Sequence, residues 1–259
     1  MTPIRVAVHG ALGKVGKEVV RAVNLDPDTK LVGAVDIKAS GDRLAVPDTD
    51  ISVPLSRSLE EIIHATRPDV IVDFTLAKAA VPAIRTAIKD KINLVVGTTG
   101  FTKEELTEIG KLAVDNQVGV IIAANFAIGA VLMIHMAKIA AKYFDYAEII
   151  ELHHHLKADA PSGTSLVTAR SMGQSRGKPF QIPPGQPRGE QLEGITIHSI
   201  RLPGLMAHQE VLFGTAGQTL SIRHDTINRE CYTPGIMLAV KEVVNREGLI
   251  FGLDNLLGL

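Results

Sequence analysis

Ile4-Arg5-Val6-Ala7-Val8-His9-Gly10-Ala11-Leu12-Gly13-Lys14-Val15-Gly16 is a short β-rich run followed by a glycine-punctuated turn, and residues 15–23 then carry helical spacing. The turn reads G-x-x-G-x-x-G. Gly10 permits a sharp bend, Gly13 lets the backbone approach a pyrophosphate, and Gly16 lets the helix pack tightly on the sheet. The first helical turn then offers unpaired N–H groups and the positive end of the helix dipole to an anion. Asp36 ends the next strand, 20 residues beyond Gly16, where a carboxylate accepts hydrogen bonds from adenosine ribose hydroxyls. The competing reading is a plain βαβ turn that uses glycine for packing alone; Asp36 favours the dinucleotide. A carboxylate there repels a 2′-phosphate, while Lys14 and Lys38 are placed to compensate, so NADH is favoured and NADPH stays open.

Outward from the turn, apolar runs over 31–35, 69–74, 93–96 and 118–122 alternate with helical patterns over 59–64, 77–88 and 103–114. Continuous apolar strands separated by helices predict a parallel sheet covered on both faces. Near Asn125 the pattern changes. A helix over 128–142 leads to a strand over 147–151, a helix over 162–173, and strands over 195–202, 208–213 and 219–224 that read as a mostly antiparallel sheet. Residues 179–194 hold four prolines and three glycines, which predicts a long surface loop. A helix over 235–246 precedes an apolar tail. The fold class expected is α/β: a Rossmann-type parallel-sheet domain over 1–125, a smaller mixed α/β domain over 126–234, and a C-terminal helix over about 235–259 returning to the first.

Composition excludes several functions. Hydrophobic residues are 46% and charged residues 21%, a globular profile. With 4% aromatics, no Trp and a net charge of −1, a nucleic-acid partner is not expected. The single cysteine, Cys231, rules out an intramolecular disulfide and a multi-thiolate metal site, and suits a reducing cytoplasm. The N-terminus lacks the charged-then-apolar layout of a signal peptide. Residues 118–136 are apolar except Asn125 and His135 and approach membrane-spanning length. They are read instead as a buried strand, a turn around Asn125 and a core helix, so no membrane partner is expected.

The most informative segment is Glu151-Leu152-His153-His154-His155-Leu156-Lys157-Ala158-Asp159-Ala160-Pro161-Ser162-Gly163-Thr164-Ser165. His153 and Lys157 are four apart, which aligns them on one side in an extended chain and also in a helix. Ser162 is a plausible N-cap, so Gly163 and Thr164 present N–H groups and a hydroxyl outward, a site for a carboxylate. Lysine and imidazoles beside it suit an acidic substrate that is held and protonated. The histidines also admit bland readings as core or surface residues. A metal site has less support, since consecutive histidines on a strand diverge and no cysteine joins them.

The run His153-His154-x-x-Lys157-x-Asp159-Ala160-Pro161-Ser162-Gly163-Thr164 resembles the signature of the 4-hydroxy-tetrahydrodipicolinate reductase (dihydrodipicolinate reductase) family. The glycine turn, Val96-Gly97-Thr98-Thr99-Gly100-Phe101, Ala124-Asn125-Phe126 and His208-Gln209-Glu210-Val211 follow in the family's order, so the likeness covers essentially the whole chain. The resemblance implies reduction of a cyclic imine dicarboxylate by NADH or NADPH, with loss of water, in lysine and diaminopimelate synthesis. It implies that His153 is proton donor or acceptor and Lys157 the proton donor, with His154, Ser162, Gly163 and Thr164 binding substrate. It places the cofactor on Gly10, Ala11, Leu12, Gly13, Lys14, Val15, Asp36 and Lys38, and on Gly97, Thr98, Thr99, Ala123, Ala124, Asn125 and Phe126. It also implies a homotetramer built through the second domain, closure of the two domains about a hinge, and no resident metal. Some members carry arginine directly after the ribose carboxylate; here that residue is Ile37, which leaves NADP use in question. His155 takes no role. Two other readings stay open: a related reductase of another imine or oxo acid, and a nucleotide sensor without catalysis.

Overall fold

The computed structural model describes residues 2–47, 49–185 and 189–259. The chain divides into two compact units, one of residues up to Ile128 together with Arg229–Leu259, the other Gly129–Asn228.

The first unit is built on an eight-stranded sheet. Its strands are β1 (Ile4–His9), β2 (Thr29–Val35), β3 (Arg43–Ala45), β4 (Ser52–Ser56), β5 (Val70–Asp73), β6 (Asn93–Val96), β7 (Gly119–Ile122) and β13 (Gly248–Phe251). They lie in the order β13-β7-β6-β5-β1-β2-β4-β3, parallel except for the β3–β4 pair. Strands β5 and β7 are buried at every residue, as a sheet covered on both faces requires. Strand order reverses between β1 and β5, and at such a point the loops leaving the strands diverge and open a ligand crevice. Helices α1 (Gly16–Leu25), α2 (Leu59–Thr66), α3 (Ala77–Lys89) and α4 (Lys103–Asn116) connect the strands. Side chains define two of their starts: Ser58 accepts from Glu61 N, and Thr102 and Glu105 form a capping box.

Two features depart from the sequence reading. Strands β3 and β4 were not expected; both are short, and Pro54 interrupts the pattern of β4. The terminal helix expected over 235–259 is α7 (Thr233–Val243) alone. Gly248, at φ +84, turns the chain into β13, which adds a parallel strand beside β7, and α8 (Leu253–Leu257) follows. The apolar stretch over 118–136 is, as expected, a strand, β7, then a turn and helix α5 (Ile128–Ala140). Among the described residues no helix is long and apolar enough to cross a membrane.

The second unit is a mixed five-stranded sheet in the order β12-β11-β8-β10-β9, where β8 is Tyr146–His153, β9 Glu190–Leu192, β10 Ile195–Arg201, β11 Ala207–Thr215 and β12 Gln218–Thr226. β8 and β10 run parallel and the other pairs antiparallel. Burial alternates along β8, so Ala147, Ile149 and Glu151 share the inner face. That face packs into a core with Ala137 of α5, Ala141 just beyond it, Met172 of α6 (Gly163–Arg176), Phe180 and Phe213. Within the stretch expected as a loop over 179–194, residues 190–192 form edge strand β9, and residues 186–188 lie outside the described residues.

Candidate active site

In the first unit the glycine turn has the geometry its spacing predicts. Gly10 adopts φ +83, and a Cβ there would meet Phe74 O at 2.6 Å. A Cβ at Gly16 would stand 2.0 Å from Gly10 O, so helix and turn touch backbone to backbone. No side chain caps α1, which suits a helix start meant for a ligand's phosphate. The cradle therefore fits a dinucleotide. Asp36 is buried, and its carboxylate accepts from Leu12 N at 2.8 Å and from Lys38 N at 2.9 Å. It thus ties the turn to the end of β2, and Lys14, Ile37 and Lys38 are exposed around it.

The turns after β5, β6 and β7 converge beside this cradle. Asp73 is wholly buried; it accepts from Thr98 Oγ1 at 2.7 Å and from Thr75 N at 3.1 Å. His9 Nδ1 lies 2.7 Å from the other Asp73 oxygen. Gly97 leaves room for the Phe74 ring, which a Cβ would approach to 2.1 Å, and Phe74 in turn packs on Phe126 with ring centroids 5.8 Å apart. Thr98, Thr99, Ala124 and Phe251 line a cavity of about 110 Å³. Ala123 N continues the ladder to Val96 O, and Asn125 Oδ1 accepts from Ala127 N to hold its turn. The structure so gathers Gly10, Ala11, Leu12, Gly13, Val15 and Asp36 in one place, and Thr98, Thr99 and Ala124 in another. His9, Asp73 and Thr75 were missed by sequence reasoning. Asp73 closes an apolar run and shows no local motif; only the β1–β5 register sets it opposite His9.

In the second unit β8 extends to His153, two residues further than expected, which puts Glu151 and His153 on one face of the strand. Glu151 is wholly buried, and His153 Nδ1 lies 2.5 Å from its Oε2. Arg201, at the end of β10, grips both Glu151 oxygens at 2.8 and 3.0 Å. Ser162 N also donates to Glu151 Oε1, at 3.3 Å. Burial pushes the Glu151 carboxyl up, but hydrogen bonds from His153, Arg201 and Ser199 prevail and hold it down at about 2.

After His153 the chain does not stay extended: Lys157 N donates to His154 O in a turn. Lys157 Nζ reaches Asp159 at 2.7 and 2.8 Å, and this bond keeps the Asp159 carboxyl below its ordinary value. Arg201 Nη2 donates to Asp159 O at 2.6 Å, so one guanidinium joins the buried end of the cluster to the Lys157 loop. Ser162 caps α6 by accepting from Ser165 N, as its position predicted. Gly163 is exposed and a Cβ there would meet nothing within 4 Å, and Thr164 follows in the first helical turn. His154 is half-buried and His155 exposed. Arg201 was missed because it arrives 50 residues after Glu151 in sequence. Glu151 had a readable signal, since it stands two residues before His153 on a strand. Among the described residues, no three His, Cys, Asp or Glu side chains are grouped to hold a metal ion.

Comparisons with known proteins agree over the full length. Residues 4–126 match the family profile described as dihydrodipicolinate reductase, N-terminus, and residues 129–257 its C-terminus counterpart. A protein of Dehalococcoides mccartyi named 4-hydroxy-tetrahydrodipicolinate reductase is 54% identical, covering 100% of both chains. One of the same name from Moorella thermoacetica is 44% identical over 98% of each. A dihydrodipicolinate reductase from a Paenisporosarcina species, solved with dipicolinate bound, superposes with a TM-score of 0.88 at 41% identity, covering 98% of this chain and 99% of that one. An amine dehydrogenase from Mycobacterium smegmatis, 14% identical over 95% of this chain and 94% of its own, shares the fold at a TM-score of 0.68.

Proposed function

The chain belongs to the dihydrodipicolinate reductase family, and from that premise we propose how its own residues divide the reaction. It is an NAD(P)H-dependent oxidoreductase of lysine and diaminopimelate biosynthesis, reducing 4-hydroxy-tetrahydrodipicolinate to tetrahydrodipicolinate with loss of water. NAD(P)H, when bound, supplies the hydride. The first unit holds it: residues Gly10 to Val15 and the uncapped start of α1 take the pyrophosphate, Asp36 the ribose, and Thr98, Thr99, Ala124, Asn125 and Phe126 the nicotinamide half. Asp36 favours NADH. Lys14 and Lys38, both exposed, are the cations placed to accept a 2′-phosphate.

The second unit holds the substrate. Gly163 and Thr164, at the start of α6, bind one ring carboxylate through their N–H groups and the threonine hydroxyl, and His154 also binds the substrate. Lys157 donates the proton that completes the product, and His153 serves as a second proton carrier. The Lys157–Asp159 pair is largely solvent-screened, Asp159 being 59% exposed on its side chain, so a substrate carboxylate can draw the ammonium away. The observation that carries this reading is that His153 and the cap of α6 meet on one buried carboxylate, to which Arg201 ties the Lys157 loop.

We further propose a cytoplasmic homotetramer. A single cysteine and dependence on NAD(P)H support the compartment. Edge strand β12 supports the assembly, with Met136, Ile139, Tyr143 and Leu220 exposed at a groove beside it. The test of the chemistry is cofactor oxidation with substrate generated in situ from pyruvate and aspartate semialdehyde. NADH and NADPH are run in parallel, beside Lys157→Ala. Turnover is expected to fall about 10²–10⁴-fold in the variant; near-normal turnover would remove Lys157 from its role.

A further inference from the structure

Glu151 is the group the reaction as described leaves unused. It has no exposed surface, yet five donors converge on it: His153, both terminal nitrogens of Arg201, Ser162 N and Ser199. We propose that Glu151 is a positioning residue for both proton-bearing side chains. It fixes His153 with the Nδ1 proton turned inward and Nε2 left for the substrate, and through Arg201 it holds the loop that carries Lys157. This rests on the reading of His153 and Lys157 as the proton carriers.

The sheet register explains why one carboxylate can do this. Across the parallel β8–β10 ladder, Ser199 pairs with Glu151 and Arg201 with His153. An ionised carboxylate only accepts, so a 2.5 Å contact to Nδ1 requires the proton on that nitrogen. The tautomer is thereby set, and the ring is aimed by a group that cannot itself move. Arg201 spends one fork on the carboxylate, and its Nη2 also reaches Asp159 O; Asp159 in turn accepts from Lys157 Nζ. His153, Glu151, Arg201, Asp159 and Lys157 form one continuous chain of contacts. The charged groups facing His153 are Glu151 on its own strand and Arg201 on β10. The Lys157–Asp159 loop lies beyond them, and β11 and α6 bring the uncharged Ala207, Gln209, Ser162 and Ser165.

Charge makes the proposal testable by opposite signs. In Glu151→Gln the imidazolium loses its counter-charge, and the alkaline limb of kcat/KM is expected to move to lower pH by about one unit or more. In Arg201→Met the carboxylate keeps His153 as its one ionisable donor, beside Ser162 N and Ser199. The limb is then expected to move to higher pH, while KM for the substrate rises because the Asp159 carbonyl has lost its donor. A residue that merely supports the fold would lower activity in both variants and leave the limb in place; that result, or shifts of the same sign, overturns the proposal. A variant that fails to fold leaves a direct measurement on the wild type. The ¹⁵N signals of His153 are expected to show Nδ1 protonated in the neutral ring, and protonation at Nε2 alone would sink the idea. His153→Asn separates the two readings. Near-normal turnover there, with a Glu151-dependent His153 titration in the parent chain, defeats the proton-carrier role and leaves the coupling standing.

Discussion

Asp36 and Glu151 are both buried carboxylates near the C-terminal end of a strand, and they organise opposite kinds of site. Asp36 accepts from two backbone N–H groups, Leu12 and Lys38, and so shapes main chain. Glu151 accepts chiefly from side chains, His153 and Arg201, and so fixes the side chains proposed to act on the substrate. The proposed cofactor cradle of the first unit is made by what is missing, the Cβ atoms of Gly10 and Gly16. The proposed substrate site of the second is made by what is charged. A dinucleotide offers a phosphate to any set of N–H groups at the right distance. A substrate that must be protonated needs particular side chains held in one protonation state.

Alanine at two glycines breaks the comparison most severely. In Gly16→Ala the new methyl stands 2.0 Å from a backbone oxygen that cannot rotate away. We expect a loss of about 3 kcal/mol or more from forced displacement of the turn, seen as a fall of roughly 10 °C in Tm, together with loss of NADH binding by titration. In Gly163→Ala the methyl meets nothing within 4 Å. That variant should keep its Tm, since alanine is the better helix former, and should show its effect in the KM for substrate. Equal Tm losses in the two would mean that both glycines serve packing.

Acid sharpens the contrast at the charged site. The Glu151 carboxyl sits at about 2 in the folded chain against an ordinary 4.5. A group lowered on folding adds stability that is complete above the unfolded value and is lost as pH falls toward the folded one. Glu151 therefore contributes on the order of 3 kcal/mol above pH 4.5, fading toward pH 2. The Tm gap between the wild type and Glu151→Gln should narrow over that window; a gap independent of pH would contradict ionisation as its source.

How much of this could be read beforehand follows the same division. The glycine turn and the run from His153 to Thr164 are local, and their spacing alone suggested a pyrophosphate cradle and a capped carboxylate site. The helix start at Ser162 appeared where expected. What stayed hidden depends on pairing between distant strands. Arg201 reaches Glu151 only because β8 and β10 run parallel, and Asp73 lies opposite His9 only through the β1–β5 register. Strand β13 was hidden for a different reason. Leu249, Ile250 and Phe251 are apolar enough for strand or helix, and the break at Gly248, with φ +84, becomes decisive only once the edge of β7 is there to receive them.

A smaller effect tests the carboxylate site proposed at the start of α6. Thr164→Val keeps the shape and removes the hydroxyl. Its backbone N–H remains, as does the Thr168 hydrogen bond to the carbonyl of residue 164. Loss of one hydrogen bond to a charged group corresponds to about 1.5–3 kcal/mol, so KM should rise roughly ten- to a hundredfold with kcat little changed. A fall in kcat at constant KM would place Thr164 in the chemical step instead.

The smallest expected difference lies between the two cofactors, and it turns on Asp36. Because its oxygens already hold Leu12 N and Lys38 N, removing them loosens the turn for NADH and NADPH alike. Asp36→Ala should therefore weaken both. The ribose term then separates them: with NADH the carboxylate would accept from the free hydroxyls, whereas with NADPH it would repel the 2′-phosphate that Lys38 and Lys14 attract. NADH should lose more, by a few-fold beyond the shared loss, a difference of about 1 kcal/mol. Asp36→Asn divides the two causes, since the amide oxygen can still accept from one N–H group while the charge is gone. If Asn restores NADPH binding to wild-type strength or better and leaves NADH weakened, charge at this position sets the preference. If Asn recovers part of the loss seen with Ala, and equally for both cofactors, Asp36 acts as a clasp on the backbone and the preference lies with Lys14 and Lys38.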